Sequence, residues 1–236
     1  MTGVARHTVA IEDLLGVWRR GVLVTPDGRR DETSDVYWLQ SLTLCGDIRR
    51  QMTPGDDAPI MTAFAGRLSE RDGVFRWERT FASPPVAGPP DDGRLSWQGE
   101  VLREDGVHEP YWETWIRVAP PAPGDYAAEL FEPVEARRGY LLSIGGFAFF
   151  GASAMTSGEA AAFALRGIGP DGGAIVLSAG ASGWAADIPP GPPGSLVRIA
   201  ERDQQGQVVS RDWFVAALEH PFVLSERGNL FMRRQP

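Results

Sequence analysis

Acidic, basic and aromatic side chains alternate at two places in this chain, and there the sequence is richest in possible chemistry. In Tyr37 to Arg50 (YWLQSLTLCGDIRR), a strand period of two puts Tyr37, Ser41, Cys45, Asp47 and Arg49 on one face. Trp38, Leu42, Leu44 and Ile48 fall on the other. In Tyr111 to Val118 (YWETWIRV), Tyr111, Glu113, Trp115 and Arg117 share a face, opposite Trp112, Thr114, Ile116 and Val118. If both polar faces turn into a barrel, Asp47, Arg49, Glu113 and Arg117 meet in one cluster walled by aromatic rings. A desolvated Glu113, or Asp47, would then move a proton, and Arg49 or Arg117 would stabilise developing negative charge. Tyr37, Trp38, Gln40, Trp77 and Trp115 are the expected ligand-binding residues. The plainer alternative turns the apolar faces inward and leaves the charges as solvated ion pairs. Tyr111 and Trp115 on the charged face argue against it, because large exposed aromatics need a reason.

Other chemistries find little support. The three histidines, His7, His108 and His220, are not spaced with cysteine or carboxylate as metal ligands are, so no metal site and no cofactor is expected. No phosphate-binding glycine loop and no G-x-S-x-G elbow is present. Cys45 has no readable activating partner and reads as a small buried hydrophobe.

The elements that would position these residues are strands. Thr25-Pro26-Asp27-Gly28 is a turn closing a first strand that opens at Gly16. Ile60 to Ser69 and Val74 to Phe81 read as a hairpin through Asp72-Gly73. Arg94 to Arg103 and Glu109 to Val118 read as a second, turning at Glu104-Asp105-Gly106. Ser83 to Asp92 (SPPVAGPPDD) is a loop, since proline cannot join a central ladder. Beyond Pro120 to Pro123, Tyr126 to Val134 and Tyr140 to Phe150 read as strands, the latter with a bulge or sharp bend at Gly145-Gly146. Ala160 to Ile168 is balanced between helix and strand. Leu196 to Arg202 and Val208 to Ala217 form a third hairpin. Short strands between frequent turns indicate an all-β antiparallel sandwich or barrel. The C-terminal half would supply a second half-barrel or sheet extension. The expectation is one domain over residues 1–236, or a subdivision into 11–118 and 126–236.

With 43% hydrophobic residues the chain of 236 residues can build a core. A formal net charge of -8 disfavours non-specific nucleic-acid binding and docking on anionic membranes. The single cysteine points to a reducing compartment, and no signal peptide or membrane-spanning run is readable, so a cytoplasmic protein is expected. Nothing in the sequence signals an oligomeric state.

Gly16-Val17-Trp18, after a possible helical turn at the start of the first strand, resembles the G-x-W signature of lipocalins and the wider calycin group. YWLQ at Tyr37 to Gln40, DIRR at Asp47 to Arg50 and YWETW at Tyr111 to Trp115 resemble a lipocalin-like family of bacterial and fungal proteins. The chain lacks the disulfide pair and second motif of secreted lipocalins, and the glycine-rich start of haem-binding calycins. The resemblance implies an antiparallel barrel with a partly closed cavity, and no particular ligand. It also implies a buried Trp18 plugging one barrel end; an arginine from the second half (Arg166, Arg198 or Arg211) is expected to stack on it.

The first functional expectation is a barrel that binds a small hydrophobic or aromatic molecule. The alternative is a cofactor-free acid–base enzyme, an isomerase, cyclase or hydratase/dehydratase, on the same barrel. A third is an adaptor with a filled interior and a recognition surface outside. A roomy interior holding a buried carboxylate would favour the enzyme, one without it the binder, and a filled interior the adaptor.

Overall fold

A computed structural model describes residues 8–51, 59–85, 87–154, 161–169, 172–179, 184–185, 190–202, 207–224 and 230–235. The chain begins with a single 3-10 turn, Ile11–Leu14, followed by β1 (Gly16–Val24), β2 (Arg30–Asp31), β3 (Asp35–Gln40) and β4 (Leu44–Gln51). Next come β5 (Ile60–Arg71), β6 (Val74–Ser83), β7 (Asp91–Gln98), β8 (Val101–Gly106) and β9 (Trp112–Ala119). These pair in the order β1-β3-β4-β5-β6-β7-β8-β9, and β9 returns to β1, closing an eight-stranded antiparallel barrel with β2 as a short extension of β1. Closure leaves the barrel no free edge at this circuit.

The second half supplies β10 (Tyr126–Glu132), β11 (Arg137–Ile144), β12 (Phe147–Ala152), β13 (Ala162–Ile168), β14 (Ala174–Ala179), β15 (Trp184–Ala185), β16 (Leu196–Arg202), β17 (Val208–Leu224) and β18 (Leu230–Gln235). They form a curled antiparallel sheet, β14-β13-β12-β11-β10-β17-β16-β15, with β18 on β17. The fold is therefore all-β, a closed barrel with a half-barrel beside it. Ala162–Ile168 is strand, resolving the segment whose alanines left helix open.

The expected long strand Tyr37 to Arg50 is a hairpin instead. Its turn, Ser41 to Thr43, is closed by the Ser41 N–H donating to Leu44 O at 2.9 Å. The turn shifts the alternation by one: Trp38 lies opposite Asp47, and Tyr37 opposite Ile48. Trp38, Cys45, Asp47 and Arg49 therefore face the lumen, while Tyr37, Leu44 and Ile48 face the second sheet. Both faces of β3 are buried, which explains why its polar and apolar residues do not sort by period.

Two further expectations change in the same way. Gly145 and Gly146, with φ of 56° and 80°, are the hairpin turn between β11 and β12 rather than a bulge in one strand. Glu104-Asp105-Gly106 lies within β8: the expected first arm, Arg94 to Arg103, itself turns at Gly99, and β8 reaches β9 through residues 107–111. The Asp72-Gly73 turn, with φ of 55° and 73°, stands as expected.

Between the barrel and the second sheet lies one apolar layer. Phe149 packs against the bare backbone of Gly46, Tyr37 against Phe147 with centroids 6.0 Å apart, and Phe81 against Tyr140 at 5.2 Å. A polar clamp adds to it: Glu219 of β17 accepts from the Thr43 N–H at 3.0 Å, the Leu44 N–H at 3.3 Å and the Thr43 hydroxyl. A separate cluster, with Trp213, Phe150 and Ile199 at its centre, fills the inner face of the half-barrel.

Candidate functional site

One end of the barrel is shut. Gly16 holds φ of 126°, and a Cβ there would lie 2.5 Å from Ala119 O, so no other residue passes this point unstrained. Trp18 follows two residues later, fully buried, with its indole N–H donating to Leu14 O at 2.7 Å. Its ring stacks on Trp38 with centroids 5.9 Å apart. The arginine over it is Arg117 of the barrel itself, with Cζ 4.5 Å from the ring centroid, and not one from the second half. Arg117 also donates to Asp13 O of the 3-10 turn. It shares the lumen face with Glu113 but sits at the plugged end, apart from the expected charged cluster.

The other end holds a cavity of about 310 Å³, near the small end of ligand pockets. Its mouth follows from the pairing of β6 with β7, which lasts only from Phe75 to Trp77. Beyond that point β6 is paired only with β5, and the proline-rich loop holding Pro89 and Pro90 forms the rim. The walls are Trp38, Trp77, Trp115, Phe64 and Tyr111. Trp38 is central: Trp77 and Trp115 meet it edge-on, with centroids 5.6 Å and 5.5 Å away.

Five buried charged groups line the cavity: Arg20, Asp47, Asp92, Glu104 and Glu113. Arg20 donates to Asp31 at 2.7 Å and lies 3.5 Å from Glu113, and Arg49 donates to Asp47 at 2.6 Å. Glu104 and Glu113 are direct cross-strand partners, about 5 Å apart at Cβ for such a pair. Glu104 accepts from the Tyr111 hydroxyl at 2.8 Å and the Trp115 indole N–H at 3.0 Å. Burial holds its pKa well above the usual carboxylate range, and the charges of Glu113 and Asp91 push it further. Burial raises Glu113 too, opposed by Arg49 and Arg20. Tyr111 is pushed up by burial and by Glu104, so it remains a hydroxyl donor.

The structure thus brings together Asp47, Arg49, Glu113, Trp38, Trp77 and Trp115 from the expected set. Tyr37 points the other way, into the layer between the sheets. Gln40 is fully buried and bonded inward: it accepts from the Trp38 indole at 3.1 Å and donates to Ser41 O at 2.8 Å. Arg20 and Glu104 escaped the sequence reading. For Arg20 the signal was its place two residues after Trp18, on the same face of β1. Glu104 was hidden inside an apparent turn.

Cys45 is buried against the lumen, where desolvation drives its thiol pKa up. His108 stands at the cavity rim, 2.9 Å from Asp92, and Asp92 is held at about 2 chiefly by its hydrogen bonds with Arg76. His220 approaches Asp125 O at 3.4 Å, and His7 lies outside the described residues. Among the described residues no three His, Cys or acidic side chains gather as metal ligands, and no helix is long and apolar enough to cross a membrane.

No protein-family model matches this chain, and no curated protein does. Among solved structures it is similar to the crystal structure of the uncharacterised protein YLR301w from Saccharomyces cerevisiae. The TM-score is 0.57, covering 85% of this chain and 97% of that one, at 15% sequence identity. The likeness is one of fold.

Proposed function

We propose that the barrel is a lipocalin-like container for one small molecule with a flat or apolar body. The observation that carries this is the cavity of about 310 Å³, open at one end and walled by three indoles around a polar floor. Apolar walls give affinity and a few fixed polar groups give orientation. Space for about ten waters at liquid density is far more than the water-sized voids of a packed core. Native mass spectrometry of freshly purified protein tests the reading. A bound mass that is released on denaturation, and is lost from Trp77→Ala, is the expected result. A protein that carries nothing, and takes up no aromatic probe at millimolar concentration, would remove it.

A second reading, acid–base catalysis on the bound molecule, is favoured by one observation: two carboxyl groups face each other in the lumen, both with raised pKa values. Glu104, the more strongly raised, is suited to donate a proton, and Glu113 beside Arg20 to accept one. Arg49 would stabilise developing negative charge. No cofactor enters this scheme. Glu113→Gln abolishing turnover of an identified guest, while leaving its binding intact, would separate enzyme from container.

A further inference from the structure

We propose that the guest is an organic cation, a protonated amine on a flat or apolar body, with its charge toward Glu104 and its body against Trp38, Trp77 and Trp115. This rests on the reading of the barrel as a container, and it specifies what is contained.

The inference comes from following each charge at the cavity to its partner. Six carboxylates line it, those of Asp47, Asp91, Asp92, Glu104, Glu109 and Glu113, against three guanidinium groups, Arg20, Arg49 and Arg79. No guanidinium is left over. Arg49 is held by Asp47, Arg79 donates to Asp91 at 3.1 Å, and Arg20 is divided between Asp31 and Glu113. Asp92 is taken by Arg76 from outside the cavity and by His108. An anionic guest would have to break one of these pairs and leave a carboxylate unpaired in a desolvated place, which is strongly unfavourable.

Glu104 is the exception among the buried acids that line the cavity. Its partners, Tyr111 and Trp115, are neutral donors, and among the described residues no ion pair reaches it. Glu109 adds further negative charge at the exposed rim. A cation entering here meets a carboxyl with no cationic partner in a cavity walled by indole rings, the two kinds of group that together hold ammonium ions in aromatic cages. A metal ion is a poor fit, since the described residues gather no ligand set and the walls are rings rather than oxygens. Burial favours the protonated Glu104 in the empty site, so an arriving cation would displace that proton.

Three probes with one body and different charge decide the matter: naphthylmethylamine, naphthylmethanol and naphthoate, titrated calorimetrically into the full-length protein at neutral pH. The amine is expected to bind about tenfold more tightly than the alcohol, or better, with naphthoate weakest. Its heat should also vary with the ionisation enthalpy of the buffer as Glu104 gives up its proton. In Glu104→Gln the ratio of amine affinity to alcohol affinity should fall to about one. An alcohol that binds as tightly as the amine, or a naphthoate that binds better, would overturn the charge inference and leave the container standing. An amine advantage retained in a folded Glu104→Gln would overturn the part given to Glu104. Should that variant not fold, the order of the three probes on the unsubstituted protein still decides. Absence of binding by all three would remove the container and the inference together.

Discussion

At the scale of single residues, Glu104 is the most consequential side chain of the barrel. Its native pKa lies above the roughly 4.3 of an unfolded glutamate, so the folded protein holds a proton that the unfolded chain releases. Its contribution to stability is complete below the unfolded value and is lost as pH rises toward the native one. Urea midpoints measured from pH 4 upward, a range set by roughly that unfolded value, should therefore show Glu104→Gln gaining on the parent protein as pH increases. A difference between the two proteins that does not change with pH would mean that Glu104 is ionised in the fold. The substitution also removes one acceptor from Tyr111 and Trp115, a constant penalty that leaves the slope readable. None of this was visible in the sequence, where Glu104-Asp105-Gly106 carries the signal of a turn. Gly106 is glycine for another reason: a Cβ there would lie 2.4 Å from the Tyr111 ring. That glycine marks a close approach, and the approach is what carries Tyr111 to Glu104.

At the scale of elements, the hairpin of β3 and β4 shows what pattern reading can and cannot recover. The strands were legible from their aromatic and branched residues, but the Ser41 to Thr43 turn contains neither glycine nor proline. Part of its reason lies some 175 residues away, where Glu219 of β17 accepts the Thr43 and Leu44 N–H groups. A turn held by a remote carboxylate leaves no local trace. The one-residue change of phase moved Tyr37 out of the site and put Trp38 in the same wall as Asp47. Glu113, Trp115 and Asp47 were legible because β9 and β4 keep strict alternation across the residues that matter. Glu219→Ala leaves two backbone donors without their acceptor beneath the second sheet. It should cost roughly 2–4 kcal/mol in equilibrium unfolding. A loss below about 0.5 kcal/mol, the range of ordinary surface substitutions, would mean that water takes over the turn.

At the scale of the whole molecule, barrel and half-barrel share the layer in which Tyr37, Phe81, Phe147 and Phe149 interlock, so neither sheet covers its apolar face alone. The expectation is one cooperative transition. Six of the eight tryptophans, at positions 18, 38, 77, 97, 112 and 115, belong to the barrel, whereas strands of both sheets contribute to the far-ultraviolet signal. Fluorescence and circular dichroism should give coincident urea curves, and fluorescence leading by a separate transition would show two independent units. The same indoles have an optical consequence. Trp38 stands within 5.9 Å of Trp18, 5.6 Å of Trp77 and 5.5 Å of Trp115, close enough for their transition dipoles to mix. The closed barrel should therefore show a bisignate exciton band in the indole region, and excitation absorbed by one ring should migrate among the others before it is emitted. Three of those chromophores form the cavity wall, so an incoming guest would change the coupling between them. Occupancy of the proposed site would then be readable from the protein's own spectrum, without a label.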